Sequence, residues 1–191
     1  MGYENTTLKR GFRFRHPAVL LVVLAIVALL AGVLIYLLDR SPSKVYFLMG
    51  WMTEGEHPGT IEPSKGYFGY LGYYLPTLLH TFAFILLTMA MVIPYQNYKQ
   101  YILRVSLFWF VFESLFEIAQ MDVIANQIAN GFPTGLANVP FLDNIPNYFM
   151  AGTFDALDIL SIALGMLLAY LIIQYVIQKG SVDTYENATN N

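Results

Sequence analysis

The chain contains no cysteine, so disulfides and thiolate metal sites are excluded, and thiol usage says nothing about the redox compartment. It is also short of charge. Only 12 % of its residues are Asp, Glu, Lys or Arg, against 57 % hydrophobic, far too few to clothe a soluble domain of this size. There is no basic surplus either, since the formal net charge is −3, and nothing marks the chain as a nucleic-acid binder. No internal repeat is present.

What is abundant is uninterrupted apolar sequence. Ala18–Leu38, Tyr73–Tyr95, Tyr101–Met121 and Phe154–Ile177 each have the length of about 20 residues needed to cross a bilayer core. The fold class expected is therefore an all-α membrane protein with four transmembrane helices and two extracytoplasmic loops. Residues 1–16 read as a basic cytoplasmic arm, 17–178 as the transmembrane domain, and 179–191 as a flexible, polar cytoplasmic tail. The first run is longer than the apolar core of a secretory signal, and Asp39-Arg40-Ser41-Pro42 offers no small-residue cleavage site, which predicts a retained anchor.

Orientation follows from the basic residues. Lys9, Arg10, Arg13, Arg15, Lys99, Arg104 and Lys179 fall on one side, whereas only Arg40, Lys44 and Lys65 fall on the other. The bias places both termini in the cytoplasm of a multi-pass cell-membrane protein. The connections 39–72 and 122–153 then face outward. The first carries an aromatic and methionine-rich stretch from Val45 to Met52, suited to the headgroup layer or to packing over the bundle. Glu54, Glu56, His57 and Glu62 follow it, in a spacing that matches no metal-ligand pattern. The second opens with a helix-like Asp122–Asn130, which could prolong the third span and stops at Gly131-Phe132-Pro133. An extended, lid-like stretch with Pro140, Phe141, Pro146, Tyr148 and Phe149 comes next.

Ionisable residues inside such spans cost at least a few kcal/mol each, and here they recur at one level. His80 lies about two turns into the second span. Glu113, Glu117 and Gln120 stand at i, i+4 and i+7 on the third, and Asp155 and Asp158 open the fourth. An even number of crossings separates these ends, so the three groups share one membrane side in either orientation. Asp155, Asp158, Ile162 and Gly165 form one helical stripe, and Gly165, with Ala163 and Ala169, would allow close approach of a neighbouring helix. The expected arrangement packs the second, third and fourth spans around these residues, with the first span outside.

Such a cluster suits acid–base chemistry, a proton relay or hard-metal binding. His80 and Glu117 are the expected proton-handling pair, Asp155 and Asp158 would orient a ligand or a cation, and Gln120 and Glu113 would contact the ligand. The structural alternative is that Asp155 serves the N-terminus of its own helix and that His80 and Glu117 merely fix helix packing. Residue types alone name no cofactor and no particular metal. Pro76 reads as a helix-entry proline, and Pro94 as a terminator.

The ordered set of His80 in Leu79-His80-Thr81-Phe82, then Glu117-Ile118-Ala119-Gln120, then Asp155-Ala156-Leu157-Asp158 followed by Gly165 resembles the VanZ-like family of small bacterial membrane proteins. The likeness covers roughly residues 75–172. It departs from the family pattern at Gly152-Thr153, where an Arg is common, and at Ile162, where an Asn is common. Glu113 lies outside that pattern. The resemblance implies an envelope protein whose namesake is linked to teicoplanin resistance, and it supplies no molecular activity. The partners it suggests are the lipid bilayer and a lipid-linked envelope ligand or a membrane enzyme, with oligomerisation open. The competing expectation is a non-catalytic scaffold or accessory subunit. A coupled transporter is disfavoured by the small number of spans and the missing repeat.

Overall fold

The computed structural model describes residues 16–39, 67–93, 99–133, 135, 136, 139, 142 and 145–189, with side chains from 17 to 178 within those ranges. The basic arm, the Val45–Met52 stretch and the acidic residues from Glu54 to Glu62 lie outside them. Among the described residues there are six helices and no strand: α1 (His16–Asp39), α2 (Leu71–Val92), α3 (Lys99–Ala119), α4 (Asp122–Gly131), α5 (Ile145–Ala151) and α6 (Ala156–Thr189). Three stretches, Pro17–Asp39, Leu71–Val92 and Ala156–Gln178, are long and apolar enough to cross a membrane. The remaining long helix, α3, has 21 residues and carries Lys99, Arg104, Glu113 and Glu117, which dilute its apolar character.

The helix at the centre is α2, which packs against α1, α3 and α6. Its Thr81, Phe82, Ala83, Ile85, Leu86, Met89 and Ala90 are all buried. A single stripe of α1 meets it: Leu21, Ala25, Ala28 and Ile35 are buried, and Gly32 lies against Pro76 and Leu79. The i, i+4, i+7 spacing and the small side chains bring the two backbones together, while Val23, Val27, Leu30 and Leu34 face outward.

Gly165 does the same on α6. A Cβ there would lie 2.5 Å from the Leu78 carbonyl oxygen and 3.1 Å from Thr81 Cβ, so α2 and α6 touch backbone to backbone at this point. Ile162, Ala169 and Ile173 continue the buried stripe. The close approach expected of Gly165 is what the structure has.

On α3, Ile102, Ser106 and Glu117 are buried, whereas Leu103, Arg104, Leu107, Val111 and Leu115 are exposed.

Several expectations are revised by the structure. The third long helix does not prolong into Asp122–Asn130. It ends at Ala119, and Met121 takes an extended conformation (φ −61°, ψ 132°) before α4 begins. The expected helix stop at Gly131 is present, with Phe132 extended. The stretch holding Pro146, Tyr148 and Phe149 is the short helix α5 rather than an extended loop. Proline fits there because an early helical residue has no intrahelical acceptor for an N–H to meet. Pro76 lies inside α2, not at its entry. Backbone helix in α6 continues to Thr189, through the segment expected to be a flexible tail. Extension of an established helix costs far less than nucleating one, and no proline intervenes.

Candidate functional site

The start of α6 organises the site. Asp155 caps that helix: its Oδ1 accepts the Leu157 N–H at 2.9 Å. Its Oδ2 accepts the Tyr74 hydroxyl of α2 at 3.0 Å. Its own backbone N–H is donated to Glu117 Oε1 of α3 at 3.0 Å. One residue thus ties three helices at one level. Glu117, 8 % exposed, is a carboxylate set at a helix N-terminus, where the macrodipole and unpaired N–H groups favour negative charge. Its Oε2 accepts Gln120 Nε2 at 3.4 Å. Gln120 in turn lies against Gly152, where a Cβ would come within 2.2 Å of its amide oxygen.

One turn further along α6, Asp158 Oδ1 accepts the Thr77 hydroxyl at 3.1 Å. Deeper still, the Thr81 hydroxyl bonds the Thr77 carbonyl at 3.0 Å and meets the Glu113 carboxylate through Oε2. The other Glu113 oxygen, Oε1, is buried and has no hydrogen-bond partner. His80 Nδ1 stands 3.8 Å from it, beyond hydrogen-bond reach. The His80 side chain is 52 % exposed and that of Glu113 is 11 % exposed. The imidazole rests on Phe84, with ring centroids 4.1 Å apart, and Phe84 rests on Trp109 at 4.7 Å. Trp109 Nε1–H donates to Thr88 Oγ at 2.9 Å.

These groups surround one groove of about 910 Å³. All six residues expected from the sequence, His80, Glu113, Glu117, Gln120, Asp155 and Asp158, line it. Their shared level, inferred from the even number of crossings, is therefore a shared cavity. The first span is not outside the cluster: Leu29, Gly32, Val33 and Tyr36 of α1 line the groove together with residues of α2, α3 and α6. The end of α5 adds Tyr148 and Ala151.

The groove is divided by chemistry. Its upper part is polar, from Asp155 to Glu113, and its lower part is apolar and aromatic, with Leu29, Phe84 and Trp109. Negative charge dominates, since four carboxylates and no Lys or Arg line it. Tyr148, on α5, registers this field. Burial first, then Glu117, Tyr36 and Glu113, push its phenol above the ordinary tyrosine range.

The pairing differs from expectation. His80 faces Glu113, not Glu117, because Glu117 sits one turn higher and is engaged with the backbone of α6. Among the described residues no group of three or more His, Cys, Asp or Glu side chains is placed to hold a metal ion.

Three groups of α2 were not anticipated. Tyr74, Thr77 and Thr81 stand at i, i+3 and i+7 and hold Asp155, Asp158 and Glu113 respectively. Their stripe was legible in principle, but neutral hydroxyls in an apolar run attract less notice than charges. Asp39 was also missed. It is 4 % exposed at the end of α1, where a helix dipole disfavours an acid. It is accounted for by Phe68, whose N–H contacts Oδ2 and Oδ1 at 3.1 and 3.3 Å. Gly72, against which the carboxylate packs, leaves room for it. Comparison of the chain with protein-family models, with curated proteins and with solved structures returns no match.

Proposed function

We propose that this chain is a four-span, VanZ-like protein of the cell membrane, with both termini cytoplasmic, whose groove opens at the outer leaflet and binds a lipid-linked or cell-wall ligand. A link to glycopeptide resistance of the teicoplanin type belongs to the same reading. The observation that carries it is the gathering of His80, Glu113, Glu117, Gln120, Asp155 and Asp158 on one groove, polar above and aromatic below. An amphiphile with its head among the carboxylates and its chain along Phe84 and Trp109 matches that division. The outward leucines of α3 support its assignment as the fourth span, because only a lipid-facing helix gains from that arrangement.

A second reading has its own support. Glu117, Asp155 and Asp158 all accept hydrogen bonds from the protein itself, as the glue of a scaffold or accessory subunit would. His80 separates the two. It is half exposed and bonded to nothing in the helix frame, so His80→Ala leaves the bundle standing. In a teicoplanin-susceptible host expressing the chain, the ligand-binding reading expects His80→Ala to lose protection while the purified protein keeps its thermal midpoint. Glu117→Ala is expected to lose both. Protection that survives His80→Ala in full refutes a role for the groove and leaves the scaffold.

A further inference from the structure

The groove has a sign, and that narrows its occupant. Glu113, Glu117, Asp155 and Asp158 line it without any Lys or Arg. An anionic head group, such as a polyprenyl phosphate, would enter against four carboxylates in a low-dielectric setting. A cationic one would be drawn in.

Residues of both α1 and α3 line the groove, and α1, α2 and α6 are long and apolar enough to cross a membrane. A lipid of the surrounding bilayer is the most abundant amphiphile such a groove would meet.

Inside, one place lacks its counterpart. Glu113 Oε1 is buried with no hydrogen-bond partner, and the 3.8 Å gap to His80 satisfies neither group. A buried carboxylate oxygen left in that state costs free energy that a donor would recover. Phe84 and Trp109 stack beside the gap, and Phe112 stands 5.6 Å from Trp109 in an edge arrangement. Aromatic faces beside a carboxylate are the chemistry that recognises an ammonium ion. His80, exposed on one side, is free to turn aside for it.

We infer that the groove takes a bilayer lipid whose head group ends in an ammonium, placing that ammonium at the His80–Glu113 gap beside Phe84 and Trp109. This rests on the reading of the groove as a ligand site and specifies the ligand's charge and source.

Trp109 provides the probe, because the chain has only one other tryptophan, Trp51. The full chain carrying Trp51→Phe is reconstituted in vesicles of equal parts phosphatidylethanolamine and phosphatidylglycerol. A bromine quencher is placed on the acyl carbons nearest the head group, on one lipid at a time. Trp109 fluorescence is expected to be quenched about five-fold more effectively by the brominated phosphatidylethanolamine, the ratio that a contact of about 1 kcal/mol between the ammonium and the Glu113 carboxylate supplies. Glu113→Gln should bring the two lipids level. Equal quenching in the unaltered groove, or a preference for phosphatidylglycerol, overturns the ammonium assignment but leaves a lipid site in place. A preference unchanged by Glu113→Gln overturns the assignment as well. If neither brominated lipid reaches Trp109, both this inference and the ligand-binding reading fall.

Discussion

Replacing Gly165 with alanine opposes two effects of known size, and their balance tests the close packing of α2 on α6. In an unhindered helix the change stabilises by about 1 kcal/mol, because glycine loses more backbone entropy on folding. Here the added methyl would sit 2.5 Å from the Leu78 carbonyl oxygen, whereas ordinary contact begins at 3.4 Å. The obstacle is helix backbone, so it cannot rotate away, and α6 must retreat by about 0.9 Å. Overpacking of this kind costs about 1–3 kcal/mol, enough to reverse the propensity gain. The displacement also reaches the site. The Thr77–Asp158 and Tyr74–Asp155 bonds, at 3.1 and 3.0 Å, span the same pair of helices and would stretch towards about 4 Å, past hydrogen-bond range. Set against the propensity gain, and with about 1 kcal/mol lost through those hydrogen bonds, the net loss is about 1–3 kcal/mol, which lowers the midpoint by roughly 2–12 °C in a chain of this size. The assay is thermal unfolding of the detergent-solubilised protein, with Gly165→Val as a harsher companion. A midpoint that stays level or rises in Gly165→Ala refutes the backbone contact and the argument built on it.

Two further substitutions probe the frame. Asp39→Ala leaves the Phe68 N–H and the start of α2 without their acceptor, and a loss of about 1–3 kcal/mol is expected. Asp39→Asn, which keeps an oxygen in place, should recover most of it in the same unfolding assay. A double-mutant cycle of Thr77→Val with Asp158→Ala should return a coupling of about 0.5–1.5 kcal/mol, the range of interhelical hydrogen bonds in membranes. Additive effects would show that the 3.1 Å contact contributes nothing to stability.

The parts of the site that were legible in the sequence are those governed by periodicity. Glu113, Glu117 and Gln120 share a face because 3.6 residues make a turn, and Asp155, Asp158 and Gly165 do so for the same reason. Counting crossings then put both sets at one level without reference to any loop. What periodicity does not set is the axial register between neighbouring helices. Whether His80 meets Glu113 or Glu117 depends on a slide of one turn, and that slide is fixed by Asp155 drawing Glu117 to the start of α6. The break at Met121 was hidden for a similar reason. No glycine or proline marks it, and the helix that follows, α4, packs on α5, whose residues lie well beyond it in the chain. Asp39 was hidden by distance, since its partner lies 29 residues away. The kinship suggested by the ordered motif and the activity of the groove stand apart from these geometric results and rest on the experiments above.

The distribution of hydrogen bonds also bears on which residues could do chemistry. A carboxylate that already caps a helix is held in place by the fold and is expensive to redirect. Asp155 accepts from Tyr74 and Leu157, and Glu117 accepts from the Asp155 backbone and Gln120. Removing either disturbs the junction of α2, α3 and α6, so loss of function in such variants cannot be separated from loss of structure. His80 and Glu113 differ in kind. One side of Glu113 is anchored by Thr81, its other oxygen is unspent, and the imidazole beside it is half exposed. A frame that needed only internal glue would gain by closing that gap to a hydrogen bond, as it does at Asp155, Asp158 and Glu117. The gap persists beside the aromatic part of the groove, which is where the proposed ligand would complete it. On that proposal the rim carboxylates belong to the architecture of the groove, and the His80–Glu113 pair is where its selectivity would be decided.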